Sequence, residues 1–195
     1  MTPRFTLRRF LRCERGAQNI EAVVMFPALI LFFLITFTFY DAYRTQTVVT
    51  KSGYVMGDLL SRETGTLDTT DLDGMRDVFS YLTFTQGDGT QIRVSEVTRR
   101  VDVVNGIDEY MICWSHGTGT LVDLLDTDLP QIIGRIPVLT PNERITVLET
   151  FTPYRPPFKV GISPFVMESF VVTRQRYAGQ LRFGGGGRTV SPGCT

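Results

Sequence analysis

The chain has 195 residues, 43% of them hydrophobic, and a mean hydropathy of +0.04, which fits one globular domain of ordinary size plus one strongly apolar segment. Twenty basic and twenty acidic residues cancel, but Met1–Gly16 holds Arg4, Arg8, Arg9, Arg12 and Arg15 against Glu14 alone, so that stretch carries +4 and the remainder −4. An acidic main body offers no basic face to phosphate, which excludes nucleic acid as the expected partner.

Behind the basic segment, Ala22 to Tyr40 is a run of 19 uncharged, mostly apolar residues. About 20 residues at 1.5 Å rise cover a hydrocarbon core of about 30 Å, so the run has the length of a bilayer span and membrane lipid is an expected partner. A cleaved secretory signal would have a shorter apolar region ending in small residues, and "FTFYDAYR" offers no such site. Five arginines before the run, against Arg44 and Lys51 after it, orient the N-terminus to the cytoplasm and leave the chain from about Asp41 outside. Tyr40 and Tyr43 suit the outer interface, and Pro27 falls early enough to bend the helix without ending it.

Glu21 stands directly before the apolar run and Gly16 five residues before Glu21. On spacing alone Glu21 reads as an interfacial acid near a helix N-terminus, where the macrodipole favours it. Cutting after Gly16 would instead make Ala17 the new N-terminus and place its ammonium one helical turn from the Glu21 carboxylate.

The stretch "RRFLRCERGAQNIEAVVMFPALI" resembles the leader of prepilin-peptidase-processed pilins, with a short basic leader ending in Gly, a Glu at mature position five and a long apolar helix. More narrowly it resembles the TadE-like and TadG-like minor pseudopilins of the Flp (tight adherence) type IV pilus system, on Arg15, Gly16, Glu21 and Pro27, with Ile20 where Val is usual. Major Flp pilins are short and place Tyr after the Glu; here Ala22 follows in a long chain, which points away from a major subunit. "ITVLETFTPYRPPF" and "FVVTRQRY" resemble later strands of the TadE-like pattern more loosely. The resemblance implies processing between Gly16 and Ala17, assembly through Glu21, and as partners other pilins and pseudopilins, prepilin peptidase and the inner-membrane assembly platform. It also implies a periplasmic C-terminal domain on a single-pass inner-membrane helix, available for incorporation into an extracellular pilus.

Further along, apolar residues at Val48, Val49, Val55, Met56, Leu59 and Leu60 recur at helical steps, predicting one helix from about Gln18 to Arg62 with that face on the domain. Gly53 and Gly57 either permit close packing or loosen the helix locally. A second helix is expected over Leu72–Leu82, capped by Asp71, with Leu72, Met75, Phe79 and Leu82 inward. From Gln91 the period becomes two: "TQIRVSEV" alternates, and "RRVDVV" and "IDEYMICW" flank Asn105-Gly106, a two-residue hairpin signal. Ile145–Phe151 and Phe165–Tyr177 read as further strands, with "DLPQIIGRIP" and "YRPPF" as Pro-punctuated connections. The expected class is α+β, a long N-terminal helix against an antiparallel sheet, organised as leader 1–16, helix 17–62, domain 63–183 and Gly-rich tail 184–195.

Cys13 belongs to the leader, leaving Cys113 and Cys194 outside, where two cysteines either pair or stay as separate thiols. Enzymatic chemistry finds little footing. His116 is the single histidine and is expected in a turn beside Ser115; Gly184–Gly187 lacks the Lys and Ser/Thr of a phosphate loop; and in "DTTDLDG" Asp71, Asp73 and Gly74 are in calcium-loop phase, but Thr69 and Ser80 occupy its first and twelfth positions. No catalytic residue, cofactor or metal is expected. Two functions remain open: a processed minor pseudopilin, and an uncleaved single-span anchor for a periplasmic binding or enzymatic domain.

Overall fold

The structure, a computed structural model, describes residues 17–85, 89–184 and 194, with side chains from Ile20 on. It divides into two compact units: one holds the chain up to Ala42 together with Pro156–Ser163, the other Tyr43–Arg155 with Pro164–Thr195. Helix α1 (Ala17–Arg62) contributes to both, and an antiparallel sheet follows it, so the class is α+β.

In the first unit α1 passes through Pro27 without interruption. Its apolar side chains are bare from Ile20 to Phe33; Val23, Phe26, Leu29 and Phe32 each keep about two thirds or more of their surface exposed. Thr36 and Thr38 return their hydroxyls to the carbonyls of Phe32 and Leu34, which leaves no polar group unpaired on those side chains. One helix of this length and hydropathy could cross a membrane. Farther on, Thr38 is fully buried, Leu34 and Ile35 are half-buried, and the ring of Phe158 from the Pro156–Ser163 turn meets Phe37 edge-on, 6.0 Å between centroids.

In the second unit α1 buries Val49, Ser52, Gly53, Met56, Gly57, Leu60 and Ser61. The face expected from sequence is thus rotated: Val55 and Leu59 point to solvent, and the small residues take the inner positions. Strand β5 (Phe165–Thr173) explains the choice. A Cβ on Gly57 would stand 2.8 Å from Val171 Cγ1, and one on Gly53 would stand 3.0 Å from Ser169 Oγ, so the two glycines serve close approach to the sheet. The helix end is finished by β5's continuation. Gln175 Nε2 donates to Leu60 O and Arg176 N donates to Ser61 O, supplying carbonyls that have no partner within the helix.

After strand β1 (Thr66–Leu67), helix α2 (Thr69–Leu82) starts three residues earlier than the expected Leu72. Asp68 is the cap: it accepts from Asp71 N while Asp71 accepts from Asp68 N, a reciprocal box in which the expected cap, Asp71, plays the third-position role. Leu72, Met75 and Phe79 are buried as predicted, and Leu82 is half-buried.

The main sheet has the order β3-β2-β4-β5, all antiparallel, from β2 (Gln91–Asp102), β3 (Ile107–Gly117), β4 (Arg144–Tyr154) and β5. The hairpin β2–β3 closes over residues 103–106, a longer loop than the two-residue turn expected, because the Asp102 side chain accepts from Val104 N, Asn105 N and Asn105 Nδ2 and holds the tip. Gly106 supplies the positive φ of +67°. His116, expected in a turn, lies on β3 opposite Val94, since the ladder with β2 runs on to Gly117.

The connection between β3 and β4 does more than join them. It forms a 3-10 turn (Asp126–Asp128), the short α3 (Leu129–Ile132) and a second 3-10 turn (Ile133–Arg135). Leu124, Leu129, Ile132, Ile136 and Leu139 pack with Val97, Ile112, Ile145 and Val147 of the sheet into one core cluster. Asp126 accepts from Ile112 N, and Ser115 Oγ accepts from Leu124 N, pinning the connection to β3.

Two glycines offer a test of the close contact. Gly57→Leu should destabilise the second unit by about 1–3 kcal/mol through overpacking against Val171. Gly74→Ala, on α2 with open space around its Cβ position, should stabilise by about 0.5–1 kcal/mol. Denaturant unfolding of the detergent-solubilised chain, followed by Trp114 fluorescence, measures both.

Candidate functional sites: the start of the apolar helix and the fastened C-terminal segment

The residues singled out by the sequence fall into two separate groups. Gly16 and Cys13 lie outside the described residues. Ala17 opens α1, and Glu21 is one turn farther on in unbroken helix, exposed, with a bare apolar surface following from Ala22. Four residues of rise place the Glu21 Cα about 6 Å along the axis from that of Ala17.

The second group surrounds Cys113. In the β2–β3 ladder Glu96 pairs with Trp114 and Val97 with Ile112, so Cys113 is the extra residue of a bulge. The bulge lets Ile112 enter the core cluster with the β3–β4 connection, while Trp114 reaches Leu181 with its indole N–H donating to the carbonyl at 2.7 Å. Cys113 is joined to Cys194 in a disulfide, with 5.4 Å between Cα atoms and 81 residues between them in sequence. Strand β6 (Arg182–Phe183) pairs in parallel with β1, Gly184 N donates to Leu67 O, and the Phe183 ring stacks between Trp114 at 4.9 Å and His116 at 5.2 Å.

Beneath this segment lies a buried carboxylate that the sequence did not single out. Glu96 is 2% exposed, and its Oε1 accepts from Leu181 N at 2.9 Å. Arg144 stands 3.9 Å from its Oε2 and reaches over to Gln180 Oε1 and to Cys194 O. Burial pushes the Glu96 carboxyl above the usual glutamate range, opposed by the Leu181 N–H, by Arg144 and by the Trp114 side chain. The alternating pattern of "TQIRVSEV" assigns Glu96 to a strand face, but only contact with a segment 85 residues away shows that the face is covered.

Elsewhere, acidic residues serve structure. Asp71 closes the α2 cap and Asp73 pairs with Arg76 on the same helix, and among the described residues no group of three or more His, Cys, Asp or Glu is placed to hold a metal ion. His116 Nδ1 lies 3.6 Å from Asp123 Oδ1, whose carboxylate accepts from Gly117 N. No protein-family model matches the chain, and comparison with curated proteins and with solved structures finds no match.

Two outcomes follow for the fastened segment. A group whose folded pKa is raised contributes stability that is complete below its unfolded value, about 4.3 for glutamate, and is lost as pH rises through the folded value. The Glu96 contribution should thus be lost above about pH 4.3, so Glu96→Gln, which keeps an acceptor for Leu181 N, should gain stability relative to wild type as pH rises; denaturation midpoints of the two proteins between acidic and neutral pH read the difference. Replacing Cys113 and Cys194 together by Ser should lower stability by about 2–4 kcal/mol, and a nonreducing digest of wild type should yield the linked Cys113–Cys194 peptide.

Proposed function

We propose that this protein is a minor pseudopilin of a Flp-type pilus or related secretion machine, held in the bacterial inner membrane by α1 and processed by prepilin peptidase after Gly16. The observation that carries the proposal is the start of α1: a carboxylate one turn into a continuous helix, followed by apolar side chains that nothing in the described chain covers. Bare apolar surface of this extent calls for a bilayer or for other helices. An assembling pilin uses both in turn. In the bilayer the acyl chains cover it; in the fibre, neighbouring helices do.

Glu21 then has a definite task. At the edge of hydrocarbon a carboxylate is costly unless it meets a cation, and the Ala17 ammonium released by cleavage in a neighbouring chain supplies one. Two charges that are each unfavourable in low dielectric become favourable together, and their distance fixes the register between subunits. The five leader arginines support an orientation with the N-terminus in the cytoplasm and the sheet unit in the periplasm. There the disulfide is chemically at home.

Co-expression with an active prepilin peptidase should shorten the chain by its first 16 residues, and Gly16→Val should block this; an intact mass in the presence of active peptidase would favour the uncleaved anchor instead. Glu21→Gln should still be cleaved and inserted, yet its crosslinking to partner pilins in membranes should fall about tenfold. That is the effect of losing about 1.4 kcal/mol, a third of the roughly 4 kcal/mol of a 4 Å ion pair at an effective dielectric of about 20, the rest being offset by desolvation. Equal yields from cleaved wild type and cleaved Glu21→Gln would reduce Glu21 to an interfacial acid.

A further inference from the structure

The turn Pro156–Ser163, which connects β4 to β5, belongs to the same compact unit as the apolar part of α1. Its Phe158 ring meets Phe37, and Phe37 in turn stacks on Phe33, 6.4 Å between centroids. Phe37 lies three residues inside Tyr40, the end of the apolar run. At 1.5 Å per residue the contact is about 4–5 Å to the hydrocarbon side of that tyrosine. With α1 across a bilayer and Tyr40 at its interface, a loop held at that depth would face lipid.

We infer that Pro156–Ser163 is a second membrane contact, entering the outer headgroup region with Phe158 at the acyl boundary and Lys159 toward lipid phosphate. The composition suits that layer. Phe158, Val160 and Ile162 are apolar, and the one charge, on Lys159, is exposed at the end of a long stem that can reach phosphate while its methylenes stay in the apolar layer. Phe158 retains 40% of its surface beside Phe37, and the neighbouring Phe39 and Tyr40 are more than half exposed, an aromatic rim of the kind that settles at the headgroup level. Irregular backbone is costly near hydrocarbon because its N–H groups lose water. Pro156 and Pro157 have no N–H to lose, and Gly161, with φ at +80°, turns the chain back.

This contact presupposes that α1 crosses a bilayer, so its test carries a separate readout for the crossing. The full chain would be reconstituted in vesicles of phosphatidylcholine and phosphatidylglycerol, with acyl chains brominated either near the headgroup or near the midplane. Wild type, whose single Trp is Trp114, gives the baseline; Phe158→Trp reports on the loop and Phe32→Trp on the middle of the run. The expected result is quenching of the Phe158→Trp emission roughly twofold above baseline by the shallow lipid, with a blue shift, and quenching of Phe32→Trp by the deep lipid. Quenching of Phe32→Trp alone overturns the loop contact and leaves the span standing; an indole at position 158 shielded from aqueous iodide but untouched by lipid would assign the loop to a protein neighbour, which also overturns it. Baseline behaviour of both variants would end the bilayer crossing and the loop contact together.

Discussion

One extra residue on β3 organises the sheet unit. Without the bulge at Cys113, the strand's alternation would put Ile112 and Trp114 on the same side. With it, Ile112 serves the core cluster on one side and Trp114 reaches Leu181 in the C-terminal segment, while the odd residue between them is free to form the disulfide. Each side of the sheet thereby acquires its own cover. The connection from Leu124 to Leu139 closes one, and α1 with the returning C-terminal segment packs against residues such as Val171, Ser169 and Glu96.

Burial of Glu96 belongs to the same arrangement. A carboxylate removed from water is tolerable when hydrogen bonds and a cation stand in for hydration, and here Leu181 N, the Trp114 side chain and Arg144 do so. Arg144 also donates to Gln180 Oε1 and to Cys194 O, so a single guanidinium links the carboxylate to both ends of the C-terminal segment. The result is a C-terminal segment tied by a disulfide, a β-ladder, aromatic stacking and hydrogen bonds to charged side chains at once. A domain of this size gains from such a staple, since the segment has few apolar side chains of its own to bury.

The apolar part of α1 poses the opposite problem, a surface with no cover within the described chain. Helix propensity and internal hydroxyl-to-carbonyl bonds satisfy its backbone and its threonines. The side chains from Ile20 to Phe33 still require an apolar environment. A lipid-held subunit that later exchanges lipid for neighbouring helices meets that requirement in both states, which is why the proposed assembly function and the helix's bareness belong together.

Period and punctuation were enough to read the long helix almost to its ends, the existence of α2, the hairpin and the α+β class, because each rests on local patterning that a single segment carries. Local chemistry also marked Gly16 and Glu21 as unusual against a plain anchor, although Gly16 lies outside the described residues. What depended on distant partners was not legible in the same way. The inner face of α1 turned from Val55 and Leu59 to Gly53 and Gly57 because β5 approaches too closely for larger side chains. The segment "DLPQIIGRIP" read as a connection, yet it forms part of a core, since its apolar residues find a sheet face only after β4 returns beside β2. Glu96 drew no notice because a glutamate in an alternating strand is ordinary until something covers it. Sequence alone determined the long helix, α2 and the main strands, since these rest on neighbours along the chain; tertiary structure decided the short pieces, such as α3 and the β1–β6 pair, and which faces are buried, since both depend on what arrives from elsewhere.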